Sequence, residues 1–438
     1  MKTISAARHF ALLSLMALAA CGPTGSDAPE SPAELEARAR GIHERVITAD
    51  THDDISPANF TAERNYTMDL PTQVTLPKMK AGGLDVAWFV VYVGQEELTE
   101  EGFAQATADA IEKFEAIDRL TGEIAPGEIE LALTSDDVRR IAASGKKVAM
   151  IGVENGYSLG TDLANIQRFQ EMGARYLSLS HNGHSQLSDS NTGERDGVWL
   201  HNGLSELGRQ AVAELNRVGI IIDLSHPSKE ANLQAIALSQ APVMASHSSA
   251  RALNDVSRNL SDEELMAVRE NGGVVQAVAF ASYVNAAKNS AHQEALRALQ
   301  QEVASEMGFE MVDRRTLFTM SEEDREAYRA AFRPVQDAVA ARMDEVNAVA
   351  PPVDVSDFVD HIDYMVDLMG IDHVGISSDF DGGGGVEGWG DASETFNVTL
   401  ELVRRGYTEE EIEKLWSGNL LRVLDEVQAV AARLQAGG

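Results

Sequence analysis

The chain has 438 residues, 44% of them hydrophobic, with a formal charge of −33 and a single cysteine. An acidic excess of this size repels phosphate backbones and anionic lipid surfaces, so nucleic-acid binding is excluded and membrane contact needs an anchor. One cysteine excludes a disulfide framework.

Residues 1–20 read as a secretion signal: Lys2 and Arg8 give a positive start, and the apolar run over 10–20 is too short to span a bilayer. Leu18-Ala19-Ala20 before Cys21 resembles a bacterial lipobox. That implies cleavage ahead of Cys21, lipidation of its thiol and an exported lipoprotein of the periplasm or outer membrane; an ordinary signal with a chance cysteine is the other reading. Residues 21–32, small and polar, form a flexible tether. Losing Lys2 and Arg8 moves the charge from −33 to −35. Residues 33–438 are expected as one domain, a size that barrels of alternating strands and helices reach.

Eight short apolar runs follow as buried strands: 46–49, 84–93, 148–153, 174–179, 219–224, 242–245, 273–280 and 373–376. Most are apolar throughout rather than alternating, as parallel strands covered on both faces should be. Amphipathic helices lie between several of them. Leu207, Ala211, Leu215 and Val218 share a face and stop at Gly219; Ser261 with Glu264, and Thr408 with Glu411, are capping boxes, the second opening a helix over 412–430. The pattern predicts an α/β fold, a (β/α)8 TIM-type barrel, with a doubly wound open sheet as the competitor. Two connections are long: residues 93–148, with an added strand near 129–133, and the helical insertion 282–372 after the seventh strand, with helices over 294–307 and 322–347. Such insertions commonly make lids or partner surfaces.

The ionisable residues cluster at strand ends. His52 and Asp54 follow the first strand, Glu154 the third, His181 the fourth, His226 the fifth, His247 the sixth and Asp379 the eighth. In a parallel barrel all such ends open on one face, where active sites are built. His43, His184, His201, His292, His361 and His373 stand elsewhere and read as structural. Asp379-Phe-Asp-Gly begins like a calcium loop, but Gly390 occupies the place of the bidentate Glu. Imidazole and carboxylate are the ligands of zinc sites that keep a position open for water. If Glu154 bridges, His52, Asp54 and Glu154 hold one ion, and Glu154, His226 and His247 hold a second, with a shared hydroxide between them. Cobalt or manganese fit the same ligands.

Five ordered motifs resemble the membrane (renal-type) dipeptidases, zinc metallopeptidases of the amidohydrolase-like barrel class. They are His52-x-Asp54, Gly-Val-Glu154-Asn-Gly, Ile-Asp-Leu-Ser-His226, Ser-His247-Ser-Ser-Ala with Ser257-Arg258-Asn259, and Asp379-Phe-Asp-Gly; Gly418 to Val423 matches as well. Barrel amidohydrolases usually carry His-x-His after the first strand and often a carboxylated bridging Lys, whereas here Asp54 replaces the second His. The resemblance implies two zinc ions per chain, dipeptide substrates, tolerance of a D-residue at the C-terminal position, slow opening of β-lactams, and a homodimer. By the same resemblance, the bridging hydroxide attacks the dipeptide carbonyl while His181 donates to the developing oxyanion. Asp379 carries the proton to the leaving amine or holds the substrate ammonium, and Arg258 pairs with the substrate carboxylate. The alternatives are another binuclear amidase, such as an N-acyl-amino-acid deacylase or a lactonase, and an inactive barrel serving as a lipoprotein binding module.

Overall fold

The computed structural model describes residues 30–437. The signal, Cys21 and most of the tether lie outside the described residues, and the tether's end is already ordered, since Ser31 caps a helix over Pro32–His43. No helix among the described residues is long and apolar enough to cross a membrane.

Among the described residues, nine strands form one parallel sheet: β1 Ala49–Asp54, β2 Val86–Tyr92, β3 Ile129–Leu131, β4 Lys147–Glu154, β5 Ala174–Ser178, β6 Ile221–Asp223, β7 Met244–Ala245, β8 Val274–Val278 and β9 Val374–Ser377. Eight run in the order β1-β2-β4-β5-β6-β7-β8-β9, while β3 flanks β4 outside that path. The Asp54 amide donates to Phe380 O at 2.8 Å and the Ser378 amide to Asp50 Oδ1 at 2.9 Å, which brings β1 to β9 and closes the barrel. An open doubly wound sheet would leave those two strands apart.

Alternation along the strands divides the core in two. Val86, Trp88, Val148, Met150, Tyr176, Ile221, Met244 and Val274 make one apolar cluster, shared with Leu420, Leu424 and Val427 of the C-terminal helix Asn419–Gly437. Ala87, Phe89, Ala149, Ile151, Val153, Leu177 and Val275 belong to the other, with the surrounding helices. The first set is the barrel filling. Continued two residues at a time along β2 and β4, it reaches Tyr92 and Glu154, so the same parity that packs the interior delivers polar groups to the upper rim.

Three expectations are corrected. The first strand is not 46–49 but Ala49–Asp54, and it is mostly polar: Asp50, Thr51, His52 and Asp53 are fully buried in it. His52 and Asp54 thus lie within a strand, and Glu154 is the last residue of β4, rather than all three following strand ends. The final helix is broken into Glu409–Glu413, a wider π-helical turn over Lys414–Gly418, and Asn419–Gly437. The insertion is helical, but its helices Ala286–Glu306, Glu322–Ala340 and Met343–Val349 bury Leu299, Val303, Val335, Val339 and Val346 against one another as a satellite core.

Candidate metal centre

A cavity of about 580 Å³ opens at the C-terminal end of the barrel, walled by Asp54, Glu154, His181, His226, His247 and Asp379 among others. Among the described residues, its walls from the connection after β8 are Phe280 and Tyr283, and none comes from the helices over 286–349. Glu154 is the hub. Its carboxylate lies 2.9 Å from His226 Nε2, 3.3 Å from His247 Nε2, 3.6 Å from His52 Nε2 and 3.9 Å from His181 Nε2. His52 Nε2 is also 3.7 Å from Asp54 Oδ2. Three sets of ligand atoms lie mutually within 4.8 Å: His52, Glu154 and His247; Glu154, His181 and His226; and His52, Asp54 and Asp379.

The hydrogen-bond network fixes which nitrogen each imidazole presents. Tyr176 Oη donates to Thr51 O at 3.1 Å, so it accepts from His52 Nδ1 at 2.9 Å. Ser246 Oγ donates to Asp223 Oδ2 at 2.6 Å, so it accepts from His247 Nδ1 at 2.7 Å. Both rings therefore turn Nε2 inward. His52 Nε2 is buried without a hydrogen-bond partner, and the Nε2 atoms of His226 and His247 stand 3.0 Å apart, where two lone pairs repel unless a proton or a cation lies between. Buried Nε2 atoms that converge on one carboxylate, that of His52 without a partner, fit divalent cations.

The electrostatics agree. Burial alone would lower His52, but Glu154, Asp379 and Asp54 push it up to about 9. Burial and then Glu154 raise Asp54 to about 6. Burial, with Asp54 and Glu154 adding to it against His52, holds the Asp379 carboxyl well above the carboxylate range. Glu154 goes the other way: burial opposes, yet His181, His52 and His226 hold it well below its ordinary value. Burial and then the Arg258 charge keep His226 neutral; burial, His52 and Arg258 do the same for His247. Without a cation the surrounding carboxylates favour a proton on His52, which a bound metal ion would displace.

The backbone is strained where the ligands sit. His226 has φ 83° and Asp379 φ 60°, a left-handed conformation uncommon for residues with a Cβ. Gly382 explains the glycine run after Asp379: a Cβ there would lie 2.1 Å from Asp379 Oδ1 and 2.4 Å from Asp54 Oδ2. The six histidines set aside in the sequence each bond a main-chain carbonyl, for example His43 to Gly82 O at 2.8 Å and His361 to Val284 O at 2.9 Å, and none joins the cluster.

Arg258 lies beside the cluster but lines the adjoining cavity of about 410 Å³, with His226 as common wall. Its guanidinium is buried, held by Ser248 Oγ at 2.8 Å and His247 O at 2.8 Å, with Nε unpartnered and no carboxylate in ion-pair contact among the described residues. The interstrand ion pair that would give it a purely structural reason is absent.

Sequence reasoning missed Tyr176 and Gly152. The Tyr176 ring fills the barrel beside Trp88, centroids 5.3 Å apart, and a Cβ on Gly152 would fall 1.9 Å from its Cζ. Gly152→Ala should therefore displace the ring that orients His52. Overpacking should cost about 1–3 kcal/mol of stability, and lost orientation should weaken metal binding roughly 10–100-fold, read by thermal melts and chelator competition. Unchanged metal affinity would remove Tyr176 from the support of the site.

A family model described as membrane dipeptidase, peptidase family M19, matches residues 36–438. Dipeptidase tcpJ of Claviceps purpurea (strain 20.1) is 29% identical over 371 residues, covering 84% of this chain and 72% of that protein. Dipeptidase aclJ of Aspergillus oryzae is 29% identical over 416 residues, covering 90% and 83%. Among solved structures, the probable dipeptidase PvdM of Pseudomonas aeruginosa aligns with a TM-score of 0.74 at 32% identity, covering 92% of this chain and 100% of that one. A metallo peptidase of Rhodobacter sphaeroides, solved with a phosphinate mimic of the dipeptide L-Ala-D-Ala, shares the fold with a TM-score of 0.65 at 22% identity, covering 87% and 99%.

Proposed function

The chain belongs to the membrane dipeptidase family, peptidase family M19, and on that premise we propose that it hydrolyses free dipeptides with two zinc ions bridged by Glu154. The observation that carries this is the single carboxylate of Glu154 set 2.9–3.9 Å from the Nε2 atoms of four histidines. His52, Asp54 and Glu154 would hold one ion, and Glu154, His226 and His247 the other. When bound, the pair supplies a water of lowered pKa and polarises the scissile carbonyl.

The chain's own residues do the rest. His181 reaches into the cavity with its ring against Tyr92 and His226, and burial lowers its pKa. Burial favours its neutral form, which donates N–H to the oxygen on which charge develops. Asp379, grouped with His52 and Asp54, accepts the proton released by the attacking water and passes it to the leaving amine. Arg258 takes the substrate's C-terminal carboxylate, the counter-ion that its buried guanidinium lacks among the described residues. The lipobox-like Leu18-Ala19-Ala20-Cys21 supports an exported enzyme tethered by a lipid on Cys21.

With Arg258 on the carboxylate and Asp379 also holding the free ammonium, such a site excludes blocked and longer peptides. Gly-X dipeptides should be cleaved with a kcat/KM about 100-fold above their N-acetyl forms, as expected when an ion pair to the ammonium is lost. Preference for the acetylated substrates would replace the dipeptidase reading with an N-acyl-amino-acid deacylase on the same metals.

A further inference from the structure

We propose that Lys113, with Tyr92 beside it, selects dipeptides whose N-terminal residue carries an acidic side chain. This rests on the dipeptidase reading above and extends it to a substrate class. Lys113 lies on the helix Glu100–Arg119 that follows β2. The buried stripe of that helix runs through Phe103, Ala106, Ala110, Phe114 and Ile117. Lys113 stands three residues after Ala110 and four before Ile117, on the edge of the stripe that faces the barrel. It lines the cavity that holds the cluster, with Nζ 5.4 Å from the centroid of the Tyr92 ring.

Neither group has a partner. Lys113 makes no hydrogen bond or ion pair among the described residues; Asp54, Glu154 and Asp109 exert charge on it from beyond contact distance. The Tyr92 hydroxyl likewise makes no hydrogen bond among the described residues, although its ring packs against His181 at 4.7 Å. Once Asp54 and Glu154 serve as ligands, their charge is committed to the metal pair. The half-buried ammonium then keeps only the charge of Asp109, four residues back on its own helix and beyond contact, so an acidic ligand would be its first direct partner.

Barrel order says which end of the substrate meets it. In the sequence β1-β2-β4-β5-β6-β7-β8-β9, Lys113 follows the second strand and Arg258 follows the sixth, so they stand on opposite sides of the mouth. A dipeptide with its carboxylate at Arg258 spans the cluster and turns its N-terminal side chain towards Lys113. A glutamyl or aspartyl carboxylate there accepts from Lys113 Nζ and from Tyr92 Oη, a charge-assisted pair of bonds. The remaining acidic groups near the path, Asp379 and Asp381, lie on the β9 side.

The test is a steady-state comparison of Glu-Ala, Lys-Ala, Ala-Ala and Ala-Glu on zinc-loaded wild type, K113M, K113R and K113E. Wild type should favour Glu-Ala over Ala-Ala. K113M should raise KM for Glu-Ala about 20-fold, the size expected for a charged hydrogen bond, with kcat within about threefold and Ala-Ala and Ala-Glu little changed. K113R should restore most of the preference, and K113E should shift it towards Lys-Ala. An equal loss on Ala-Ala, a response confined to Ala-Glu, or no change on Glu-Ala each overturns the proposal. Failure of wild type to cleave any of these dipeptides overturns the dipeptidase reading instead, and thermal melts identify a variant that merely misfolds.

Discussion

Asp379→Asn should lower kcat on a simple dipeptide about a thousandfold while leaving the bound metal in place, within the range expected for loss of a positioned proton carrier. Asparagine has nearly the same size and can still be packed against Gly382, but it cannot accept a proton and return it. The carboxyl is suited to that exchange. It is 6% exposed, and burial with two acidic neighbours raises its proton affinity when no cation opposes them. Its φ of 60° is paid for by a loop in which the Gly382 and Gly384 amides both donate to the Asp379 carbonyl, at 3.2 and 2.8 Å. Metal analysis separates roles. A carboxylate that moves protons leaves the stoichiometry unchanged when replaced, whereas one that ligates takes an ion with it. A kcat within tenfold of wild type would remove Asp379 from the chemistry.

Arg258→Met should raise KM for dipeptides about 100-fold with a smaller effect on kcat, the loss expected when a buried charged pair loses one member. Wild type should disfavour dipeptide amides, which lack the C-terminal carboxylate, by a similar factor. That discrimination should vanish in the variant, because both changes delete one interaction. Arg258→Lys should recover little, since an ammonium cannot bond Ser248 Oγ, His247 O and a carboxylate in one plane as the guanidinium does. Since the side chain also braces His247, metal content and melting temperature serve as controls. A variant that still rejects the amides would place carboxylate recognition elsewhere.

What could be read from the sequence depended on whether a residue's environment is local. The runs at 84–93 and 148–153 appear as strands β2 and β4, because a strand covered on both faces is apolar throughout. β1 defeats that reasoning. Asp50, Thr51, His52 and Asp53 look like a loop, yet their backbone pairs with β2 and their side chains are buried around the site. The chemistry that makes the strand useful is what hides it. The histidines fall into two groups by position along the chain: those at barrel strand ends lie in the cluster, and the rest bond main-chain carbonyls.

Supporting residues were less accessible. Nothing in the sequence around Gly152 announces that a ring from β5 needs its missing Cβ, and Tyr176 reads as an ordinary strand aromatic until Trp88 and His52 are placed around it. Lys113 did leave a signal, a charged residue in phase with the apolar stripe of its helix, but a lysine there can also extend its head to solvent. The insertion over 282–372 was legible as helices. Its packing into a satellite core away from the cavity was not, because helical periodicity gives a face to bury without saying against what.

The most direct measurement is elemental analysis of the purified protein beside Glu154→Ala. Glu154 is the one group within 2.9–3.9 Å of all four imidazoles, so its loss should break both sites at their shared edge. Wild type should carry close to two zinc equivalents per chain, and the variant should lose at least one while remaining folded. Two equivalents retained in Glu154→Ala would contradict the bridged pair on which the catalytic reading depends.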